Sequence, residues 1–288
     1  MLCPPSNLVP ASKEKSCMEE VCIQGITVPT LGIGTWHAQG RSCQRIVKEA
    51  LEQGIRHIDT AQLYQNEREV GKAMRKAGPD RSQIFLTTKI GNKEHAAAAV
   101  KSSTEQSLKK LRTDYVDLLL IHWPVAFDEI AETLDAMQSL QAQGKTRAIG
   151  VSNFTPKQLQ TARKLAPIFC NQVEYHPYFL QTALTRMAKE DGFLLTAYAP
   201  LARGKVCEDP VIRAIGAAHG KTPAQVTLRW LLDQPNLSAI PKTTNPTRLA
   251  ENLDVFDFTL TPEEHSAIKA RDQRLRLVDP PFAPAWDD

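Results

Sequence analysis

Apolar positions along this chain fall into short, nearly continuous runs, separated by longer stretches in which they recur at helical spacing. A hairpin signal comes first, over residues 21–29, with Gln24-Gly25 at its turn. Residues 31–34 then read as a strand and 41–53 as an amphipathic helix that stops at Gly54. The alternation continues with strand 56–60 and helix 66–77, closed by Gly78-Pro79, strand 84–90 and a helix near 96–111, and strand 116–122 and a helix near 129–143. Strand 148–152 precedes a helix opening at Thr155-Pro156, where threonine caps free amides and proline suits the first turn. Strand 170–175 precedes helix 180–190. Strand 194–199 precedes two helices, 209–219 and 223–232, and strand 238–241 leads to helix 246–253.

Short apolar strands alternating with helices predict a parallel sheet covered on its outer face. Eight such units fit an α/β protein of the closed (β/α)8 TIM-barrel type, which typically needs about 250 residues. A doubly wound open sheet is the alternative. No compositional break marks a linker, so residues 18–288 read as one domain. Residues 1–17, with Pro4, Pro5 and Pro10 around a polar centre, read as a mobile arm without the apolar run of a signal peptide.

Composition narrows the class. The chain has 288 residues, 42% hydrophobic and 23% charged, and its 35 basic and 32 acidic residues are spread along it, so no basic stripe points to nucleic acid. No run approaches the roughly 18 apolar residues of a membrane span, which predicts a soluble, cytoplasmic protein. Six cysteines without a C-x-x-C pair read as free thiols. With no apolar surface stripe evident, a monomer is expected.

A barrel carries its chemistry at the C-terminal ends of its strands. Asp59, Lys89 and His122 end three apolar runs, and Tyr64 follows Asp59 by one short loop. A phenol has a pKa of about 10, and a neighbouring ammonium is expected to lower it. Tyr64 is therefore expected to be a general acid, Lys89 its tuner, Asp59 the partner of Lys89, and His122 a donor orienting a carbonyl oxygen for hydride arriving at its carbon. Other chemistries lack their signatures. Gly32-Ile33-Gly34 is not completed to a dinucleotide fingerprint, Gly150-Val151-Ser152-Asn153-Phe154 lacks the second glycine of a nucleophile elbow, and no metal motif occurs. Pro241-Lys242-Thr243-Thr244-Asn245-Pro246-Thr247-Arg248, following the last strand and opening a helix, combines cations, hydroxyls and free amides in a way that suits phosphate.

These motifs, with Tyr64-x-Asn66-Glu67, Thr88-Lys89 and Ile121-His122-Trp123-Pro124, occur in an order that resembles the aldo-keto reductase family from about Val21 onward. The resemblance implies an NADPH-dependent barrel with Asp59, Tyr64, Lys89 and His122 as its tetrad. Ser152, Asn153 and Gln172 look like nicotinamide carboxamide contacts and Tyr198 like the stacking ring. Pro200 and Leu201 look like part of the pyrophosphate loop, Lys242, Thr243 and Arg248 like a 2′-phosphate clamp, and Glu251 and Asn252 like adenine contacts. Ala199 stands where a serine is common, and Gly91-Asn92 where many relatives have an aromatic wall, implying an open, polar pocket.

The ending from Arg276 to Asp287 looks most like the bacterial 2,5-diketo-D-gluconate reductase B group, which also reduces methylglyoxal, and implies a C-terminal loop over the barrel mouth. Trp36, Trp123 and Trp286 are candidate pocket residues, and Arg276 is a candidate partner for a substrate carboxylate. The expected function is NADPH-dependent reduction of small carbonyl compounds, including keto-sugar acids, methylglyoxal and aromatic aldehydes. The alternative is an NADPH-binding regulatory or redox-sensing subunit with little turnover.

Overall fold

The computed structural model describes residues 18–286, so the expected N-terminal arm lies outside the described residues. The chain opens with an antiparallel hairpin, β1 (Glu20–Ile23) and β2 (Ile26–Pro29), turning at Gln24-Gly25, both with positive φ. Eight parallel strands follow: β3 (Gly32–Gly34), β4 (His57–Asp59), β5 (Phe85–Ile90), β6 (Val116–Ile121), β7 (Thr146–Ser152), β8 (Cys170–Glu174), β9 (Leu194–Tyr198) and β10 (Leu237–Ala239). Each pairs with its neighbour in sequence. The seam between first and last closes through a parallel bridge from Leu31 to Ala239, with Ala239 N donating to Thr30 O at 2.8 Å and Gly34 N to Pro241 O at 3.1 Å. The barrel expected from the pattern is the observed architecture, and the open sheet is excluded.

The helices are α1 (Gly40–Glu52), α2 (Glu67–Ala77), α3 (Ala97–Leu111), α4 (Ile130–Ala142), α5 (Pro156–Leu165), α6 (Thr182–Asp191), α7 (Pro210–His219), α8 (Pro223–Leu232), α9 (Pro246–Leu253) and α10 (Pro262–Lys269). Thr155 caps α5 as expected, its hydroxyl accepting from Gln158 N. The expected elements omitted α10, although Thr261-Pro262-Glu263-Glu264 carries its start signal, a proline in the first turn and a reciprocal Thr261–Glu264 cap.

Two cores hold the fold. A large one fills the space between strands and helices, with Ile46, Leu51, Val70, Leu134 and Leu159 among its members. A smaller one lies inside the barrel, where Ile23 and Val28 of the hairpin meet Phe85, Leu118, Phe169 and Leu194. The hairpin thus plugs the N-terminal end and leaves the strand C-termini to open onto the cleft described below. Among the described residues no helix is long and apolar enough to cross a membrane, and Cys22, Cys43, Cys170 and Cys207 are free thiols.

Candidate active site

The ends of β4, β5 and β6 deliver three ionisable side chains, Asp59, Lys89 and His122, into the buried interior. Lys89, on β5, is fully buried, and its Nζ donates to Asp59 Oδ1 at 2.6 Å, to Thr60 O at 3.0 Å and to the Tyr64 hydroxyl at 3.3 Å. Three acceptors for three ammonium hydrogens is full satisfaction of a charge that burial would otherwise penalise heavily. The second Asp59 oxygen accepts from Gln172 Nε2, on β8, at 2.8 Å.

Tyr64 sits on a short 3₁₀ turn, Gln62–Tyr64, immediately after β4. Two side chains fix that turn. Gln62 donates to Ser107 Oγ at 3.1 Å and accepts from Gly91 N at 2.8 Å. Asn66 ties the loop to the one after β3, donating to Thr35 O and Ala38 O while accepting from Thr60 Oγ1 at 2.7 Å. The Tyr64 ring packs edge-on against His122, centroids 5.5 Å apart, with Lys89 Nζ 4.9 Å from its centroid.

The electrostatics correct one expectation. Burial raises the Tyr64 pKa well above the ordinary phenol value, and the Asp59 charge pushes the same way. The ammonium expected to lower it is itself paired with Asp59, so its net field at the phenol is small, and the resting group is a firmly protonated acid. Burial lowers the Lys89 pKa, against which the Asp59 carboxylate acts. Burial, followed by the Lys89 charge, holds His122 well below the ordinary imidazole value, so it is neutral, with Nδ1 buried and unpartnered among the described residues.

A cleft of about 1210 Å³ runs from these residues across the strand ends. Asp59, Tyr64, His122, Ser152, Asn153, Gln172, Tyr198, Pro200, Leu201, Lys242, Thr243, Arg248, Glu251 and Asn252 all line it. At its inner end a hydrogen-bonded chain joins four of them: Tyr198 donates to Asn153 Oδ1 at 2.7 Å, Asn153 Nδ2 to Ser152 Oγ at 3.1 Å, and Ser152 Oγ to Gln172 O at 2.8 Å. Beyond Tyr198 the backbone enters the left-handed region at Ala199, Ala202 and Arg203, non-glycine residues with φ of 47°, 47° and 54°. Such conformations persist where surrounding structure enforces them, and they cluster at functional loops.

At the far end Lys242 and Arg248 are exposed and have no ion-pair partner among the described residues. They flank the start of α9, whose N-terminus Asn245 caps by accepting from Thr247 N at 2.9 Å. The Thr243 hydroxyl is occupied within its own loop, accepting from Asn245 N at 3.0 Å, and Glu251 accepts from Thr222 Oγ1 at 2.5 Å.

The outer wall differs from expectation in three places. Trp36, Leu63, Trp123 and Phe282 line the mouth, with Trp123 and Phe282 packed edge-on at 5.5 Å. Gly91-Asn92 does not line the cleft, because Gln62 binds Gly91 N and places Leu63 over it, so the wall is apolar rather than open and polar. Arg276 does not line it either. Its guanidinium turns into the tail, donating to Pro284 O at 2.8 Å, pairing with Asp279 at 3.2 Å and lying over the Trp286 ring at 5.3 Å. Trp286, engaged there and against Phe179, is tail packing and not pocket lining. The C-terminal segment itself, through Leu277, Val278, Asp279, Pro280 and Phe282, does cover the mouth.

Sequence reasoning assigned no role to Asn66, which joins two active-site loops, or to Glu174, which follows Gln172 by two positions on β8 and so shares its face. That spacing was the available signal.

A barrel with an acid–ammonium–carboxylate–imidazole cluster at the strand ends defines a class of enzyme, and sequence comparison places the chain within it. The model of the aldo/keto reductase family matches residues 30–273. The chain is 41% identical over 268 residues to the methylglyoxal reductase DkgB of Salmonella typhimurium, spanning 91% of this chain and 100% of that one. A solved structure carrying the name 2,5-diketo-D-gluconic acid reductase B superposes with a TM-score of 0.92 at 45% identity, covering 95% of this chain and 99% of the other. A Bombyx mori aldo-keto reductase solved in complex with NADP gives a TM-score of 0.85 at 34% identity over 91% and 95% of the two chains. The chain belongs to the aldo/keto reductase family.

Proposed function

We propose that this protein reduces small aldehydes and ketones to alcohols with NADPH as reductant and Tyr64 as the general acid. The observation that carries the reading is the convergence of Lys89, Asp59, Tyr64 and His122 on one end of a cleft whose other end presents the cations Lys242 and Arg248, without an ion-pair partner among the described residues. The cleft fits a dinucleotide. It exceeds the roughly 300 to 1,000 Å³ of ordinary small-molecule sites, it is polar around Ser152, Asn153 and Gln172, and it ends in charge suited to a phosphate.

In this reading Ser152, Asn153 and Gln172 hold the nicotinamide amide, Tyr198 supports its ring, and Pro200 and Leu201 lie beside the pyrophosphate. Lys242, Thr243 and Arg248 hold the 2′-phosphate, with Glu251 and Asn252 at the adenine. When bound, NADPH supplies the electron pair as hydride to the carbonyl carbon. Tyr64 gives its proton to the carbonyl oxygen as negative charge develops there, and the phenolate left behind is 3.3 Å from the Lys89 ammonium. Neutral His122 orients that oxygen. The apolar mouth formed by Trp36, Leu63, Trp123 and Phe282 favours uncharged and aromatic carbonyl compounds over keto-sugar acids, since Arg276 is engaged elsewhere.

The test is multiple-turnover NADPH oxidation by the purified protein with methylglyoxal, 2,5-diketo-D-gluconate and an aromatic aldehyde. Failure on every carbonyl offered would return the protein to the alternative of a nucleotide-binding subunit.

A further inference from the structure

Strand β8 ends on two side chains of one face. The first, Gln172, reaches inward to Asp59; the second, Glu174, is buried and reaches the C-terminal segment across more than a hundred residues of sequence. Glu174 Oε1 accepts from Leu277 N at 2.8 Å and Oε2 from Val278 N at 2.9 Å, while His176 Nε2 lies 2.9 Å from Oε1. Leu277 and Val278, with Asp279, Pro280 and Phe282 after them, line the cleft. The other hydrogen bonds described for residues 277–286 stay inside the segment: Arg276 to Pro284 O, and Ala283 N to Pro280 O. Beyond Leu275, whose amide donates to Tyr178 O, the polar attachment of this wall to the barrel among the described residues is the Glu174 carboxylate.

We propose that Glu174 is a positioning residue for the substrate: by gripping two successive backbone amides it sets where the C-terminal wall, and through it Phe282, stands over Tyr64 and His122. This rests on the carbonyl-reductase reading of the cleft. The physical case is that a buried carboxylate must be satisfied, and two backbone amides satisfy it with charge-assisted bonds at fixed geometry. An apolar contact alone, such as Trp123 with Phe282, permits sliding. A carboxylate with one oxygen per amide does not.

Glu174→Gln keeps the volume but replaces one acceptor with an NH₂ group facing an N–H donor, so one amide is lost and the other strained. Glu174→Asp keeps both acceptors but retracts them. For Glu174→Gln, KM for the carbonyl should rise about fivefold to thirtyfold, part of the worth of one charge-assisted bond, with kcat within about threefold and NADPH affinity within about twofold. Glu174→Asp should fall between it and the unmodified protein. Hydrogen exchange followed by mass spectrometry on residues 275–286 supplies a readout that needs no variant. The Leu277 and Val278 amides should exchange slowly in the unmodified protein and quickly in Glu174→Gln.

Fast exchange at both amides in the unmodified protein would overturn the inference. So would an unchanged KM in Glu174→Gln, or parallel loss of kcat, KM, NADPH affinity and urea midpoint, which marks a merely structural residue. Turnover by the unmodified protein is measured first. Its absence would overturn the functional reading, and the exchange experiment would still decide the anchor.

Discussion

Tyr64→Phe removes one oxygen and little else, which makes its consequences calculable. The ring stays between His122 and the Lys89 ammonium, whose contacts with it are through the ring as well as the hydroxyl. Lys89 loses its longest bond, 3.3 Å, and keeps Asp59 at 2.6 Å and Thr60 O at 3.0 Å. The stability cost should therefore lie at the low end of the roughly 0.5 to 1.5 kcal/mol typical of a hydrogen bond. The kinetic cost is larger, because the general acid is gone. A loss of about 10² to 10⁴ in kcat corresponds to roughly 2.7 to 5.4 kcal/mol of barrier, limited by whatever His122 and water still supply. Lys89→Met would be a poorer experiment, since it strands the Asp59 carboxylate in the interior at about 3 to 5 kcal/mol and mixes unfolding with catalysis. The assay is NADPH absorbance under saturating aldehyde, with nucleotide affinity from fluorescence titration and stability from urea unfolding. A Tyr64→Phe protein with kcat within threefold of the parent, folded and binding NADPH normally, would refute the assignment of the acid.

Three further outcomes are expected. Replacing Lys242 and Arg248 together by alanine should remove most of the preference for NADPH over NADH, which two exposed charge-assisted contacts set at roughly ten to several hundredfold; nucleotide titrations check it, and equal affinities in the unmodified protein would contradict it. Arg276→Ala should lower kcat/KM for methylglyoxal and for a keto-acid alike, because its guanidinium braces Pro284, Asp279 and Trp286 and not the cleft; a loss confined to the keto-acid in paired assays would restore a carboxylate-binding role. Burial lowers the pKa of both His57 and His122, so each is neutral when folded and takes up a proton on unfolding once the pH falls below about 6.5. Their contribution is present above that value and is lost as the pH drops toward the folded pKa, with a limiting slope of about 2.7 kcal/mol per pH unit for two protons; urea midpoints that do not move between pH 7 and pH 5 would refute this.

The barrel was legible because most strands are short, largely apolar runs separated by helical spacing, so the change of period marks each boundary to within a few residues. The cluster was legible for a related reason: Asp59, Lys89 and His122 are the polar residues that interrupt apolar runs at the end where such barrels place their chemistry. What was not legible depends on contacts distant in sequence or on opposing effects. No local pattern connects Glu174 to Leu277, or turns the Arg276 guanidinium toward Pro284. The openness expected from Gly91-Asn92 failed because Gln62, from another loop, binds the backbone there. The Tyr64 shift comes from burial and the Asp59 charge, and its sign requires knowing that Lys89 is already paired with Asp59. The omission of α10 has no such excuse in physics, for its capping signal is local.

The hydrogen bonds around Asp59 bear on the proton that Tyr64, as the proposed acid, would give a substrate. One carboxylate oxygen is taken by Lys89 and the other by Gln172. Neither is offered to the phenol, although Asp59 is close enough for its charge to raise the Tyr64 pKa. The Tyr64 oxygen accepts from Lys89, and among the described residues the hydroxyl, on a residue that lines the cleft, donates to no carboxylate. A buried ion pair of this kind is poor evidence for stability, because desolvating two charges costs about as much as their attraction returns. Its value here is directional: Asp59 holds the ammonium and its second oxygen is taken by Gln172, while Tyr64, the proposed acid, lines the cleft. Gln172, proposed as a nucleotide contact, thereby also bears on the proposed acid, its amide reaching Asp59 from the opposite side of the barrel.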